Sequence, residues 1–268
     1  MNKKELISGF VLAIVVAVLV MVGWLPLANA VGLMCVACLA WFFRKEKVNP
    51  WVKTGLFFLL VPLVFWVATY RPGGFSYPLL FALLGTEVGE SRFELYVNFA
   101  KALVGFILLF LLWHKPRQDE FVAAPKWQFL IALFAPLTII AVAIPVLGLV
   151  FEPKIFKQVL WFALVNLVVI AVAEEAFMRL LLQQSIRNAA ASLGANRWVQ
   201  ELGSLVVVAG IFVAIHSGLS GAAIWIYALA GLLYGLSYTL SKNVCYPIMI
   251  HFWVNLLHFA WLTYPIQS

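Results

Sequence analysis

The chain has 268 residues, 65% of them hydrophobic and only 11% charged, with a formal net charge of +7. Apolar stretches long enough to cross about 30 Å of hydrocarbon recur along it, which excludes a soluble globule and fits one all-α, polytopic membrane domain. The positive charge does not point to nucleic acid, because the basic residues sit in short loops between apolar runs, where they act as topology signals.

In chain order, spans are expected at residues 6–27, 31–43, 51–69, 93–113, 127–150, 156–184, 202–216, 222–240 and 244–263, a bundle of about eight to nine helices. The shorter apolar piece at 75–84 has Pro and Gly at its flank and is expected to be re-entrant or interfacial. Lys3, Lys4, Arg44, Lys45, Lys47, Lys53, Lys115, Arg117, Lys126, Arg187, Arg197 and Lys242 fall on one side of the nine-span arrangement. That side reads as the cytoplasm, with the C-terminus outside. Glu87, Glu90 and Glu94 fall on the other side, near Arg71 and Arg92. The first span resembles a signal peptide in its Lys3 and Lys4 start and its Ala28, Asn29, Ala30 end, but its apolar run exceeds the usual length of about 7 to 15 residues, so a retained span is expected.

Cys35, Cys38 and Cys245 give no disulfide framework. Cys35 and Cys38 form a C-x-x-C in mid-span without a second pair, and small apolar packing is the expectation for them.

Glu174, Glu175 and Arg179 lie inside the apolar run VNLVVIAVAEEAFMRLLLQ. Ionisable groups in such a run are costly unless partnered, so they mark a candidate polar site. On a helix Glu175 and Arg179 share a face while Glu174 is rotated about 100° away, which predicts a supporting ion pair and one carboxylate left for chemistry. His216 ends another apolar run at HSGLSG, and His251 and Asn255 share a face four residues apart in the last span. His258, one turn further, and His114, in a charged loop, read as packing and interface residues. Gly231 and Gly235 supply the small-xxx-small spacing that lets the intervening helix approach its neighbours.

Measured from the cytoplasmic ends of their spans at about 1.5 Å per residue, Glu174, His216 and Asn255 lie roughly 15 to 22 Å deep and His251 about 10 Å. They can meet in one cavity, and an opening toward the cytoplasm is expected. A carboxylate, two imidazoles and an amide around one point suit cleavage of an acyl bond by water. The chain has no G-x-S-x-G and no H-E-x-x-H. Glu174, His216 and His251 could still make a three-ligand zinc site, though a metal-free site is favoured.

These residues resemble the CPBP family of intramembrane proteases, which includes the Ras-converting CAAX endopeptidase and bacterial bacteriocin-processing or Abi-type proteins. The family's E-E-x-x-x-R is similar to Glu174, Glu175 and Arg179, its F-x-x-x-H to Phe212 and His216, and its H-x-x-x-N to His251 and Asn255. The resemblance implies a glutamic-type endopeptidase of a bacterial inner membrane. Glu174 would be the base, His216 would position water, His251 and Asn255 would form the oxyanion site, and Glu175 with Arg179 would support it. No cofactor is implied beyond the debated zinc. The partners would be the bilayer and a peptide or protein cut close to the membrane. Prenylated C-termini, pheromones, bacteriocin leaders and sorting tails all fit. Residues 151–268 would form the catalytic core and 1–150 a variable membrane scaffold. One departure is Leu180 and Leu181, where many bacterial relatives carry a glycine. The competing readings are a non-proteolytic membrane scaffold or immunity factor, and a proton-coupled transporter, against which stands the lack of an inverted repeat.

Overall fold

The computed structural model describes residues 3–84, 91–114, 122–216 and 221–265. Glu87, Glu90, Lys115, Arg117 and the SGLS segment after His216 lie outside the described residues. Among those described, nine helices follow one another: α1 (Lys3–Met21), α2 (Leu27–Phe43), α3 (Pro50–Thr69), α4 (Phe99–Leu112), α5 (Pro125–Leu147), α6 (Phe156–Ser192), α7 (Val199–Ile215), α8 (Ala223–Ser241) and α9 (Cys245–Trp261). Four of them, α3, α5, α6 and α8, are long and apolar enough to cross a membrane, and several of the rest are shorter apolar helices.

Local chemistry sets the ends. The Asn49 side chain accepts from Trp51 N ahead of Pro50, and Asn98 accepts from Lys101 N, so α3 and α4 each begin on an asparagine cap. The expected span at 93–113 is corrected by the structure: β2 (Ser91–Tyr96) pairs antiparallel with β1 (Leu79–Leu84), and the helix starts only at Phe99. The reason is visible in SRFELY, where polar and apolar residues alternate with period two. Leu95 and Leu83 are buried against Phe162 and Phe259. The 75–84 piece is therefore half of a hairpin that does not span.

Hydrogen bonds tie the helix ends into two sets. At one end Arg44 pairs with Glu5, Ala123 N donates to Leu240 O, His114 meets Gln184, and Lys242 and Arg187 both reach Glu201. At the other, Asn29 donates to the carbonyls of Val67 and Tyr70, and Asn98 to that of Ala68. There too the strand of residues after α5 is laced to the end of α9 through Glu152 N to Trp261 O and Thr263 N to Val150 O. Arg92 of the hairpin hydrogen-bonds Glu152 and holds its carboxyl below the usual carboxylate range. The helices thus run alternately up and down, with the hairpin and Tyr264 at the same end.

Of the three apolar clusters, one joins α1 to α4 to α6, a second joins α5 to α9, and a third seats the hairpin, and α6 and α9 enter all three. Cys245 is free and exposed, and so are Cys35 and Cys38, which corrects the packing expected of these two. Their sites face out from the bundle because Leu33 and Val36 take the inward face of α2.

Backbone meets backbone at Gly105 of α4, where an added Cβ would lie 2.6 Å from the Ala173 Cα of α6. Backbone cannot move aside there as a flexible side chain can. Gly105→Ala should cost about 1–3 kcal/mol, read as a lower Tm in detergent. An unchanged Tm would mean that α4 and α6 re-space freely.

Candidate active site

Helix α6 is 37 residues long and is underwound on both sides of its two glutamates, with π-type turns at Asn166–Ala171 and Ala176–Gln183. In these turns amides bond five residues back, as in Gln184 N to Arg179 O, a geometry frequent at functional sites. Between them sits Val172–Glu175. Glu175 Oε2 accepts from Arg179 Nε at 2.8 Å, and both side chains are fully buried. The chain of bonds continues from Arg179 Nη1 to Gln183 Oε1 at 3.0 Å, and from Gln183 Nε2 to Gly235 O at 3.2 Å and Thr239 Oγ1 at 2.9 Å. Gly235 is required for this: a Cβ there would sit 2.4 Å from Leu205 Cδ1 and 2.9 Å from Arg179 Nη1. Such a pair must be well hydrogen-bonded to offset its desolvation, and this ladder supplies most of the bonds, Arg179 Nη2 being buried with no partner among the described residues.

Glu175 also accepts, through Oε1, from His251 Nδ1 at 2.9 Å. That leaves His251 Nε2 directed toward Glu174, 3.9 Å from Oε2. The imidazole is further fixed by stacking on Tyr234, ring centroids 5.0 Å apart. Glu174 Oε1 is held by Lys101 Nζ of α4 at 2.6 Å. His216, at the end of α7, donates from Nδ1 to Phe212 O at 2.7 Å, because a carbonyl can only accept, and its ring stacks on Tyr227 at 4.6 Å. The phenylalanine of F-x-x-x-H therefore orients the histidine through its backbone and packs under it through its ring, the centroids 4.5 Å apart.

Asn255 is oriented in turn by Asn166. Asn166 Nδ2 donates to Phe252 O at 2.9 Å, which turns its Oδ1 toward Asn255, and Asn255 Nδ2 donates to it at 3.0 Å. One N–H of Asn255 is spent on this bond; the second is left for another acceptor.

Glu174, His216, His251 and Asn255 line one cavity of about 280 Å³. Its other walls are largely apolar, from α5, α6, α7, α8 and α9, with Tyr227, Tyr234, His258 and Tyr264 as additional polar groups. His258, expected to be packing, stands in the wall with Nε2 bonded to Thr263 O at 3.1 Å. His114 bonds Gln184 far from the cavity. The lining runs to Leu149, Tyr264 and Pro265, at the hairpin end of the bundle, whereas the buried Arg179, Gln183 and Thr239 of the ladder, toward the basic end, are not part of it.

Two site residues escaped the sequence reading, Lys101 and Asn166. Each is a lone polar group in an apolar run, which is the signal that could have found it, but its partner lies 73 and 89 positions away respectively. The suggested zinc ligands do not fit a metal: among the described residues no three His, Cys, Asp or Glu side chains are grouped to hold an ion. The lysine ammonium already stands where a cation would bind Glu174.

A polytopic helical membrane protein with a polar cavity between its helices is the class that fold and site define. Within that class, residues 156–257 match the family model described as type II CAAX prenyl endopeptidase Rce1-like, a family of intramembrane endopeptidases whose substrates are peptides or proteins in a lipid environment. The match spans well under half of the chain but includes Glu174, His216, His251 and Asn255. Lys101, the α5 wall, His258 and Tyr264 fall outside it. No curated protein and no solved structure matched the chain.

Removing Arg179 alone leaves Glu175 buried with His251 Nδ1 as its remaining partner, so Arg179→Met should destabilise by about 3–5 kcal/mol. The double variant Glu175→Gln, Arg179→Met should recover much of that loss. Thermal unfolding of the purified variants in detergent checks this, and a stable Arg179→Met protein would show that the pair carries no structural load.

Proposed function

We propose that this protein is a glutamic-type intramembrane endopeptidase with Glu174 as its base. The observation that carries the reading is the convergence of Glu174, His216, His251 and Asn255, from three helices, on one cavity with apolar walls. In that setting preorganised donors act in a low dielectric and need no rearrangement during reaction.

With Oε1 held by Lys101, Glu174 offers Oε2 to the cavity. Oε2 takes a proton from water as the water oxygen bonds to the scissile carbonyl carbon and the carbonyl electron pair moves onto its oxygen. His216, whose Nδ1–H is committed to Phe212 O, accepts the second water hydrogen at Nε2 and sets the direction of attack. The free N–H of Asn255 donates to the developing oxyanion, and His251, in its doubly protonated form, donates to it from Nε2. When the carbon–nitrogen bond breaks, the proton on Glu174 passes to the leaving amine. Glu175 and Arg179 act through His251 by holding its Nδ1, so they are positioning residues. Residues 151–268 would then supply the reactive groups and 1–150 a scaffold that adds Lys101.

Glu174→Gln should abolish cleavage while membrane insertion is unchanged, because it removes the proton acceptor. Asn255→Ala should lower kcat by about 10²-fold with KM little altered, as for loss of one oxyanion donor. Single-turnover cleavage in liposomes, on variants checked for folding, measures both. Normal biological function in the Glu174→Gln strain would favour the scaffold or immunity reading, and a raised KM with kcat intact in Asn255→Ala would make Asn255 a substrate-binding residue.

No step here needs a metal ion. Dialysis against a strong chelator should therefore leave the rate unchanged. Activity lost on dialysis and restored by stoichiometric zinc would overturn the glutamic-type assignment.

A further inference from the structure

The two ends of the bundle differ in charge and in access. Among the described residues, ten Lys and Arg lie at the end that carries the Arg44–Glu5 and Lys242–Glu201 pairs: Lys3, Lys4, Arg44, Lys45, Lys47, Lys53, Lys126, Arg187, Arg197 and Lys242. The hairpin end has Arg71, Arg92, Lys101, Lys154 and Lys157. Of these, Arg92 and Lys154 both pair with Glu152, and Lys101 pairs with Glu174. Short loops rich in Lys and Arg stay in the cytoplasm, so the hairpin end faces away from it.

Access runs the opposite way to the charge. The cavity wall ends at Leu147 and Leu149 beyond the middle of α5, His216 at the end of α7, Tyr227 near the start of α8, and His258 and Tyr264 at the end of α9. In the alternating bundle all of these ends lie on the hairpin side. Toward the basic side lie the hydrogen-bonded ladder from Arg179 through Gln183 to Thr239 and, beyond it, Gln184 accepting from Tyr238 at 3.0 Å, none of them in the cavity wall.

From this we propose that the site is reached from the non-cytoplasmic face, and that its substrates are membrane-associated peptides whose scissile bond is presented on that face after insertion or transport. The proposal rests on the endopeptidase reading for what happens in the cavity, but the direction of access is independent of it.

Full-length protein with Cys35, Cys38 and Cys245 replaced by serine tests the direction. Leu149→Cys reports the cavity rim, and Asn188→Cys, exposed near the end of α6, reports the basic end. A membrane-impermeant maleimide should label Leu149→Cys only in right-side-out vesicles and Asn188→Cys only in inverted ones. The reverse pattern, or labelling of Leu149→Cys in both preparations, overturns the proposal. A second arm tests the substrate class by comparing peptides from wild-type and Glu174→Ala cells. Bonds cut only in the wild type should lie on the non-cytoplasmic side of their parent chains, and bonds on the cytoplasmic side would overturn it. If the two peptide sets were identical, the endopeptidase reading would fall, whereas the labelling result would still decide the access.

Discussion

Keeping the charge of Glu175 and Arg179 inside the bundle is the constraint around which the rest is arranged. Neither side chain touches solvent, and an ion pair so placed needs most of its remaining donors and acceptors satisfied; here Arg179 Nη2 alone of the pair's polar atoms lacks a partner among the described residues. That demand recruits Gln183 from the next turn, the backbone of Gly235 and the hydroxyl of Thr239 on α8, and the imidazole of His251 on α9. Three helices are locked together by one solvated-elsewhere pair, and the geometry of the cavity follows from their lock. Glu174 is the residue left over, one step along the helix and facing the opening.

The same logic explains why small residues stand where they do. Gly235 gives the guanidinium room, Gly231 lets Phe212 lie against α8, and Gly105 lets α4 come close enough to α6 for Lys101 to reach Glu174. In lipid, helix association gains little from apolar contact alone, so close backbone approach and polar bonds between helices have to supply it. In this bundle the two devices occur side by side, with glycine making the distance at which a polar pair becomes possible.

Much of the fold was legible because hydrocarbon thickness imposes a length that apolar runs must meet, and all nine runs contain a helix, with the largest departures at the entry to α4 and the ends of α1 and α6. The misreading at 93–113 arose because a sum over apolar residues cannot distinguish FELYVNFA in a strand and turn from a helix entry; the alternation in SRFELY could. The polar residues of the cavity could be picked out one at a time, since each interrupts an apolar run. What could not be read was who meets whom across the bundle. Lys101 with Glu174 and Asn166 with Asn255 are pairings of tertiary structure, invisible to helical spacing.

Lys101 has one more bearing on the molecule. Its ammonium is contributed by α4, and the α5 wall from Ile139 to Leu149 likewise precedes the family-matched segment. The segment with the recognisable residues is thus not a transplantable module. Grafted onto other N-terminal helices it would keep its ladder from Glu175 to Thr239, yet Glu174 would lose its counter-charge and the cavity would lose one side. Any exchange of the first half must therefore rebuild a cation and a wall in the same places.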